Sequence, residues 1–438
     1  MRDWLRIDRL ICLILFVGVM QYGPATLDSF NQGNLSLFDV DRNTLIESGP
    51  LRYAKEALLI GLSIAWPLWI GSQRFSSEIV MMLRWYPPWL LVVTLTGFVA
   101  FLLDYSPTFF VWSGLRWLML LHVSFGVFFL SKSILNHRVS HRFIAIFFLC
   151  VGSIDLAFAL NQVAEAGMQF GGTFAQARVT GFFSNAGVAS FFGFALALLG
   201  MQLDRVSYRY RFAVSVVGLF VALSAGTRLM AISIFIIIAL QLYEYVLANP
   251  RSFVSRFRIV IFFPSFFATA IVAYAALIAM VDRGDAIGSQ LEQGGRITNF
   301  FNTMEMFYSA DAGELLWGRG LGVGTNTAYG QVLAMGISPE FYRFNFLVDN
   351  GFLTTFFQLG LIGSTLFWLG ILIFVISVRP KNSKQYLRRY SVTVGVFVAV
   401  LWAGNPFEHY FLMLAFAISL GCTFWGDGVS RPAALTES

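Results

Sequence analysis

The chain has 438 residues, of which 57% are hydrophobic and 12% charged, with a formal net charge of +6. A soluble domain carries about 25% charged residues; half that fraction, with a mean hydropathy of +0.70, excludes a soluble protein and specifies a polytopic membrane protein. The positive balance does not point to nucleic acid, because no soluble basic domain accompanies it; in a membrane protein it is first a statement about topology.

Apolar segments near the ~20 residues needed to cross a bilayer fall at 8–22, 53–71, 87–104, 107–130, 142–164, 181–203, 212–226, 228–248, 259–281, 349–378, 391–405 and 409–426. The reading is an all-α polytopic membrane protein with about twelve transmembrane helices and one large extracytoplasmic loop. It takes residues 1–438 as a single transmembrane domain, with the large loop at 282–347 and a short cytoplasmic tail at 427–438. The N-terminal apolar stretch has a basic start but no convincing small-residue cleavage site, so it reads as a retained first span. Cys12, Cys150 and Cys422 lie far apart in apolar segments and read as small hydrophobes.

The loops alternate in charge. One set holds Arg2, Arg6 and Arg9, then Arg74 and Arg84, Lys132 and Arg138, Arg205, Arg209 and Arg211, Arg251 and Arg256, and finally Arg379, Lys381, Lys384, Arg388 and Arg389. The other set holds most of the acids, including Asp28, Asp39, Asp104, Glu165, Asp282, Glu314 and Glu408. The positive-inside rule makes the first set cytoplasmic, which expects both termini on the cytoplasmic side of the membrane. Ala225-Gly226-Thr227-Arg228 interrupts an apolar run at 212–247 and then becomes a tight hairpin at the outer surface.

The 282–347 loop is too long for a simple connection, and long loops usually carry function. Within it Ile297, Phe300, Phe301, Met304, Phe307 and Tyr308 recur at helical spacing and predict an amphipathic helix on the membrane or the bundle. GRGLGVGTN follows, with Gly318, Gly320, Gly322 and Gly324 alternating and Asn326 closing the motif. Alternating glycine lets backbone approach a ligand closely; a plain flexible turn is the alternative. No Gly-Lys-Ser/Thr follows, so the motif is not a P-loop, and no βαβ unit surrounds it.

Arg178, Arg228, Arg296, Arg319 and Arg343 run against the charge pattern by standing on the acidic, outer side. Guanidinium stays ionised and meets phosphate through two parallel hydrogen bonds. Arg178, Arg228 and Arg296, from three separate segments, thus make a phosphate-bearing ligand at the outer surface the economical reading, against pairing with the loop's acids or with lipid headgroups. Arg116 and Asp155 lie at matching depth inside their spans and read as a structural ion pair or as part of a pathway. Asp349, where the loop becomes a span, is a candidate general base or a helix N-cap. Glu408 and His409 in GNPFEHY are secondary base candidates. His137 and His141 lack acidic partners, and Asp39-Val40-Asp41 reads as two acids of a solvated loop, so no metal site is expected.

RVTGFFSNAGVASFFGFALAL, LSAGTRLMAIS, GRGLGVGTN and VDNGFLTTFFQLGLIGSTLF, in this order, resemble the O-antigen polymerase and ligase superfamily. The resemblance covers about 175–375. It implies a metal-independent, cofactor-free, all-helical glycosyltransferase that uses oligosaccharide carried on undecaprenyl diphosphate. By position, Arg178, Arg228 and Arg296 would hold the diphosphate. Gly318, Gly320, Gly322, Asn326 and Asn350 would belong to the substrate loop. Ligase members usually carry a histidine near the end of the large loop. Here none stands between 282 and 350 and Asp349-Asn350 occupies the junction, which favours a polymerase of O-antigen, capsule or exopolysaccharide. The partners to expect are lipid-linked oligosaccharide, membrane lipids, and a chain-length regulator and flippase of the same pathway. The competing readings are a ligase passing finished glycan to lipid or protein, and a lipid-linked oligosaccharide flippase.

Overall fold

The computed structural model describes residues 50–71, 77–105, 107–136, 138–169, 186–225, 228–247, 301, 304–305, 310–325, 328, 348 and 350–429. Among them the chain is helical, with no strand. The helices are α1 (Pro50–Gly71), α2 (Ser77–Leu102), α3 (Val111–Asn136), α4 (Arg138–Gln169), α5 (Ala186–Gln202), α6 (Tyr208–Ser224), α7 (Arg228–Leu247), the short α8 (Ala312–Trp317), α9 (Gly351–Ser377), α10 (Lys384–Ala403) and α11 (Tyr410–Val429). Single 3₁₀ turns stand at Thr108–Phe110 and Pro406–Glu408.

Among the described residues five helices, α2, α3, α4, α9 and α11, are long and apolar enough to cross a membrane. The predicted spans 8–22 and 259–281 lie outside the described residues; each of the others meets a helix. Boundaries differ most for α2, which begins ten residues before the predicted start at 87 and so carries Pro87 and Pro88 inside the helix. In lipid, neighbouring groups must satisfy whatever carbonyls an internal proline frees. The apolar helices carry hydroxyls by turning them onto their own backbone: Ser63 Oγ donates to Leu59 O, Thr94 to Leu90 O and Thr365 to Leu361 O, each at 2.7 Å. Even exposed Thr365 thus presents little polarity to lipid.

Helix α11 is the centre of the bundle, packed on α3, α5 and α10, and most of it is buried. The closest pair is α5 with α6, antiparallel, where Gly193 and Gly218 leave each other no room for a Cβ. Small residues at such a crossing let backbones approach and gain dispersion contacts. Large hydrophobics such as Ile64, Leu68, Leu91, Leu95, Leu372 and Ile376 cover the outward faces, as a lipid solvent requires.

One end of the bundle is closed by ions. Arg389 of α10, fully buried, donates to both carboxylate oxygens of Asp204 at 2.8 Å and to Glu244 at 2.6–2.9 Å. Arg211 of α6 pairs with Asp204 at 3.1 Å and donates to Met201 O at 2.8 Å. Tyr386 and Gln385 add hydrogen bonds to Asp204 and Glu244. The cluster ties α6, α7 and α10 to the 203–207 turn with two positive and two negative groups. Sequence reading used Arg211 and Arg389 only as markers of topology; the fold gives them a structural role. Beside it Asp427 of α11 accepts from the backbone N–H of Lys381, Asn382 and Ser383, fixing the turn between α9 and α10.

Candidate functional site

The opposite end gathers the sequence motifs. α9 is not one continuous helix: Gly360 has φ 64° and ψ −170°, a conformation close to exclusive to glycine. The break removes the amides that would have bonded the carbonyls of Phe357 and Gln358. The glycine motif supplies replacements. Arg319 N–H donates to Phe357 O at 2.7 Å and Gly320 N–H to Gln358 O at 3.2 Å. These carbonyls lie six to seven residues into α9, so the motif descends ~10 Å along it. Irregular backbone at such depth persists in membranes only when buried in protein or lining a cavity, and residues 318–325 are all buried.

Gly318, Gly320, Gly322 and Gly324 all have positive φ. The close approach that alternating glycine permits is here made to the protein's own helices. Gly318 faces the Gln358–Gly360 backbone, and Gly322 faces Phe110, Ser113 and Gly114. Leu321, fully buried, fills the notch left by Gly97 of α2 and Gly114 of α3. α8 leads into the motif, its N-cap Asp311 accepting from Glu314 N–H at 2.8 Å. Arg319 pairs with Glu314 at 3.2 Å and lies over the Phe357 ring. Arg319, expected on the outer side, therefore meets an acid of its own loop. Within the break, Gln358 is fully buried, and neither atom of its side-chain amide has a hydrogen-bond partner among the described residues.

Asn350 is the N-cap of α9: its Oδ1 accepts from Phe352 N–H at 3.0 Å and Leu353 N–H at 3.1 Å. Its Nδ2 donates to Trp402 O, and Gly351 N–H donates to Gly404 O. The start of α9 is thus bound to the 404–409 turn. There Asn405 Nδ2 donates to Glu408 at 2.6 Å, and His409 packs on Phe191 of α5 with ring centroids 4.2 Å apart. Burial, with the Arg116 charge second, pushes the His409 imidazole down to about 4. It is neutral at pH 7 but a weak base. Arg116 makes an ion pair with Glu56 of α1 at 3.2 Å, a partner the sequence reading did not consider for it.

α6 runs antiparallel to α5, so its junction with α7 lies at this same end. α6 stops at Ser224 and α7 begins at Arg228, where the sequence placed the hairpin. The side chain of Arg228, and residues Arg178, Arg296, Asn326 and Asp349, lie outside the described residues. So does most of the predicted amphipathic helix, of which Phe301, Met304 and Glu305 are described and helical. The fold therefore places the glycine motif, Asn350, Glu408, His409 and the start of α7 at one end of the bundle. Sequence reasoning missed Gly360 and Gln358, because one glycine and one amide inside QLGLIGS look like ordinary span composition. No protein-family model matches the chain, and no curated protein matches it significantly.

Proposed function

We propose that the chain is a metal-independent membrane glycosyltransferase of the surface-polysaccharide polymerase type. In this reading it lies in the bacterial inner membrane with both termini cytoplasmic. It joins undecaprenyl-diphosphate-linked oligosaccharides at the extracytoplasmic face to build O-antigen, capsule or exopolysaccharide. The observation that carries the reading is the broken α9 docked on the glycine motif, at the same end of the bundle as the start of α7 that bears Arg228. It supports the reading because conserving charge and water exclusion at a membrane surface calls for fixed backbone near the reacting groups.

In the proposed reaction a hydroxyl of one lipid-linked unit attacks the anomeric carbon of the other. The new C–O bond forms as the bond to diphosphate breaks, and undecaprenyl diphosphate leaves with the electron pair. The hydroxyl proton passes to a base, the Asp349 carboxylate first, with Glu408 and His409 as further candidates; held at about 4, the histidine is no stronger a base than an ordinary carboxylate. Arg178, Arg228 and Arg296 neutralise the leaving diphosphate, so neither metal nor general acid is called for. Arg228→Ala is expected to abolish chain growth at unchanged protein level. Arg228→Lys is expected to rescue poorly, since ammonium lacks the bidentate fork. Long polymer from the alanine variant would sink the diphosphate role.

A broken helix is also the mark of many transporters, so a lipid-linked oligosaccharide flippase is the second reading. Purified protein in detergent, given lipid-linked repeat units and a chelator, separates the two. A polymerase lengthens the glycan without a membrane to cross, a ligase needs an added lipid or protein acceptor, and a flippase yields no new linkage.

A further inference from the structure

A second feature lies away from the glycine motif, towards the ion-cluster end. It is an apolar cavity between helices, with about 790 Å³ of empty space when its open mouth is included. Residues of α2, α3, α9, α10 and α11 line it, with Phe407 from the turn before α11. The lining is aromatic and aliphatic, with Trp85, Phe125, Phe374 and Phe397 prominent. On the same helix as the lining residues Ile371, Phe374 and Val375, Leu372 and Ile376 face outward and are 54% and 62% exposed. Ser124 is a polar exception in the wall; it is buried, and its hydroxyl has no hydrogen-bond partner among the described residues.

The register of α2 against α9 places charge above this cavity. Trp89 Nε1 donates to Leu366 O, Gly370 lies against the same indole, and Thr96 meets Gly363. The two helices are therefore antiparallel. Five residues from Trp89 towards the start of α2 is Arg84, and just past the end of α9 is Arg379. Both are exposed, lie within ~10 Å of each other along the axis, and form no ion pair among the described residues. Arg379 is within electrostatic reach of Tyr390, whose hydroxyl donates to the carbonyl of cavity residue Val375. Trp85 and Trp89, both in the cavity wall and next along α2 from Arg84, stack at 5.4 Å, as aromatic side chains do at a membrane–water boundary.

We infer that this cavity holds one acyl chain of an anionic bilayer phospholipid, whose headgroup phosphate sits against Arg84 and Arg379. The charge pattern makes the lipid one of the cytoplasmic leaflet. An apolar slot capped by unpaired guanidinium groups matches a molecule that is apolar at one end and anionic at the other. It does not match a neutral or zwitterionic lipid equally well. The inference stands independently of the glycosyltransferase reading.

Native mass spectrometry of the detergent-purified full chain tests it, with dioleoyl phosphatidylglycerol, dioleoyl phosphatidylcholine and undecaprenyl phosphate added separately and in competition. Wild-type protein is expected to retain one phosphatidylglycerol with a roughly 30-fold preference over phosphatidylcholine, from two interfacial arginines. Arg84→Gln with Arg379→Gln, both at exposed positions, removes the preference. Ser124→Leu, which fills the cavity and deletes only an unpartnered hydroxyl, weakens both phospholipids. Equal binding of the two phospholipids by wild-type protein, or an unchanged preference in the double arginine variant, overturns the proposal. So does displacement of phosphatidylglycerol by undecaprenyl phosphate, which would assign the cavity to the substrate carrier.

Discussion

Replacing Arg389 by methionine removes the guanidinium that serves both Asp204 and Glu244, at 2.8 Å and 2.6 Å. Methionine keeps the length and packing of the arginine stem, so the loss is electrostatic. It leaves two carboxylates sharing Arg211 in a region from which water is largely excluded. Breaking a buried pair in this way costs about 3–5 kcal/mol, or roughly 6–10 °C in Tm at the ~2 °C per kcal/mol of larger domains. Cys422 offers the assay: its thiol is buried, whereas Cys150 is exposed. Thermal unfolding in detergent is read as labelling of Cys422 by a thiol-reactive dye, in a Cys12→Ser, Cys150→Ser background. Adding Glu244→Leu to Arg389→Met restores charge balance, leaving Arg211 with Asp204, and is expected to recover most of the loss. The pH dependence gives a second reading. Burial raises the Asp204 carboxyl, but Arg389 and then Arg211 outweigh that and hold it below its ordinary value. Its contribution is therefore complete above about pH 4 and lost as pH falls through the depressed value. Without Arg389 that loss begins at higher pH. A Tm shift under about 2 °C in Arg389→Met, or an unchanged acid limb, would refute the account of this cluster as the clamp on α6, α7 and α10.

Gly360→Ala forces a side chain into positive φ against the Gly318 and Leu316 backbone; at roughly 2–6 kcal/mol it is expected to undock the glycine motif, read as new protease cleavage within 310–325. Gln358→Leu removes a buried amide that has no partner among the described residues; it is expected to raise stability by about 1–3 kcal/mol yet lower polymerisation, and a variant both more stable and fully active would separate Gln358 from the substrate. For His409, held at about 4 in the folded protein, protonation opposes folding. Stability is complete above about pH 6.5 and declines as pH falls towards 4; His409→Phe, preserving the Phe191 contact, is expected to flatten that window in a Tm–pH series.

The candidate site was legible in unequal parts. Apolar run lengths predicted helices at each described span because a lipid solvent leaves few alternatives for the backbone. The interruption at 225–228 marked a helix break because glycine and arginine together end an apolar run. Asn350 was legible as part of a junction, but not as the capping residue: Asp349 is an equally good cap by type, and only the position of the first free amides decides between them. Alternating glycines signalled close approach, yet their partner was open. It proved to be α2, α3 and the broken α9, and no spacing rule points from Gly318 to Gly360.

Composition and apolar run length thus determined by themselves that this chain is a bundle of apolar helices, because hydrophobic length is a local property that the bilayer reads directly. Tertiary structure decided what the polar residues do. Arg211 and Arg389 became a clamp, Arg319 and Arg116 found Glu314 and Glu56, and the GRGLGVG backbone replaced the hydrogen bonds lost at Gly360. Most of these pairings join segments distant in sequence, and Arg319–Glu314 spans the end of α8. The cost of burying an unpaired charge or amide selects the partner, and that cost exists only once the helices have packed.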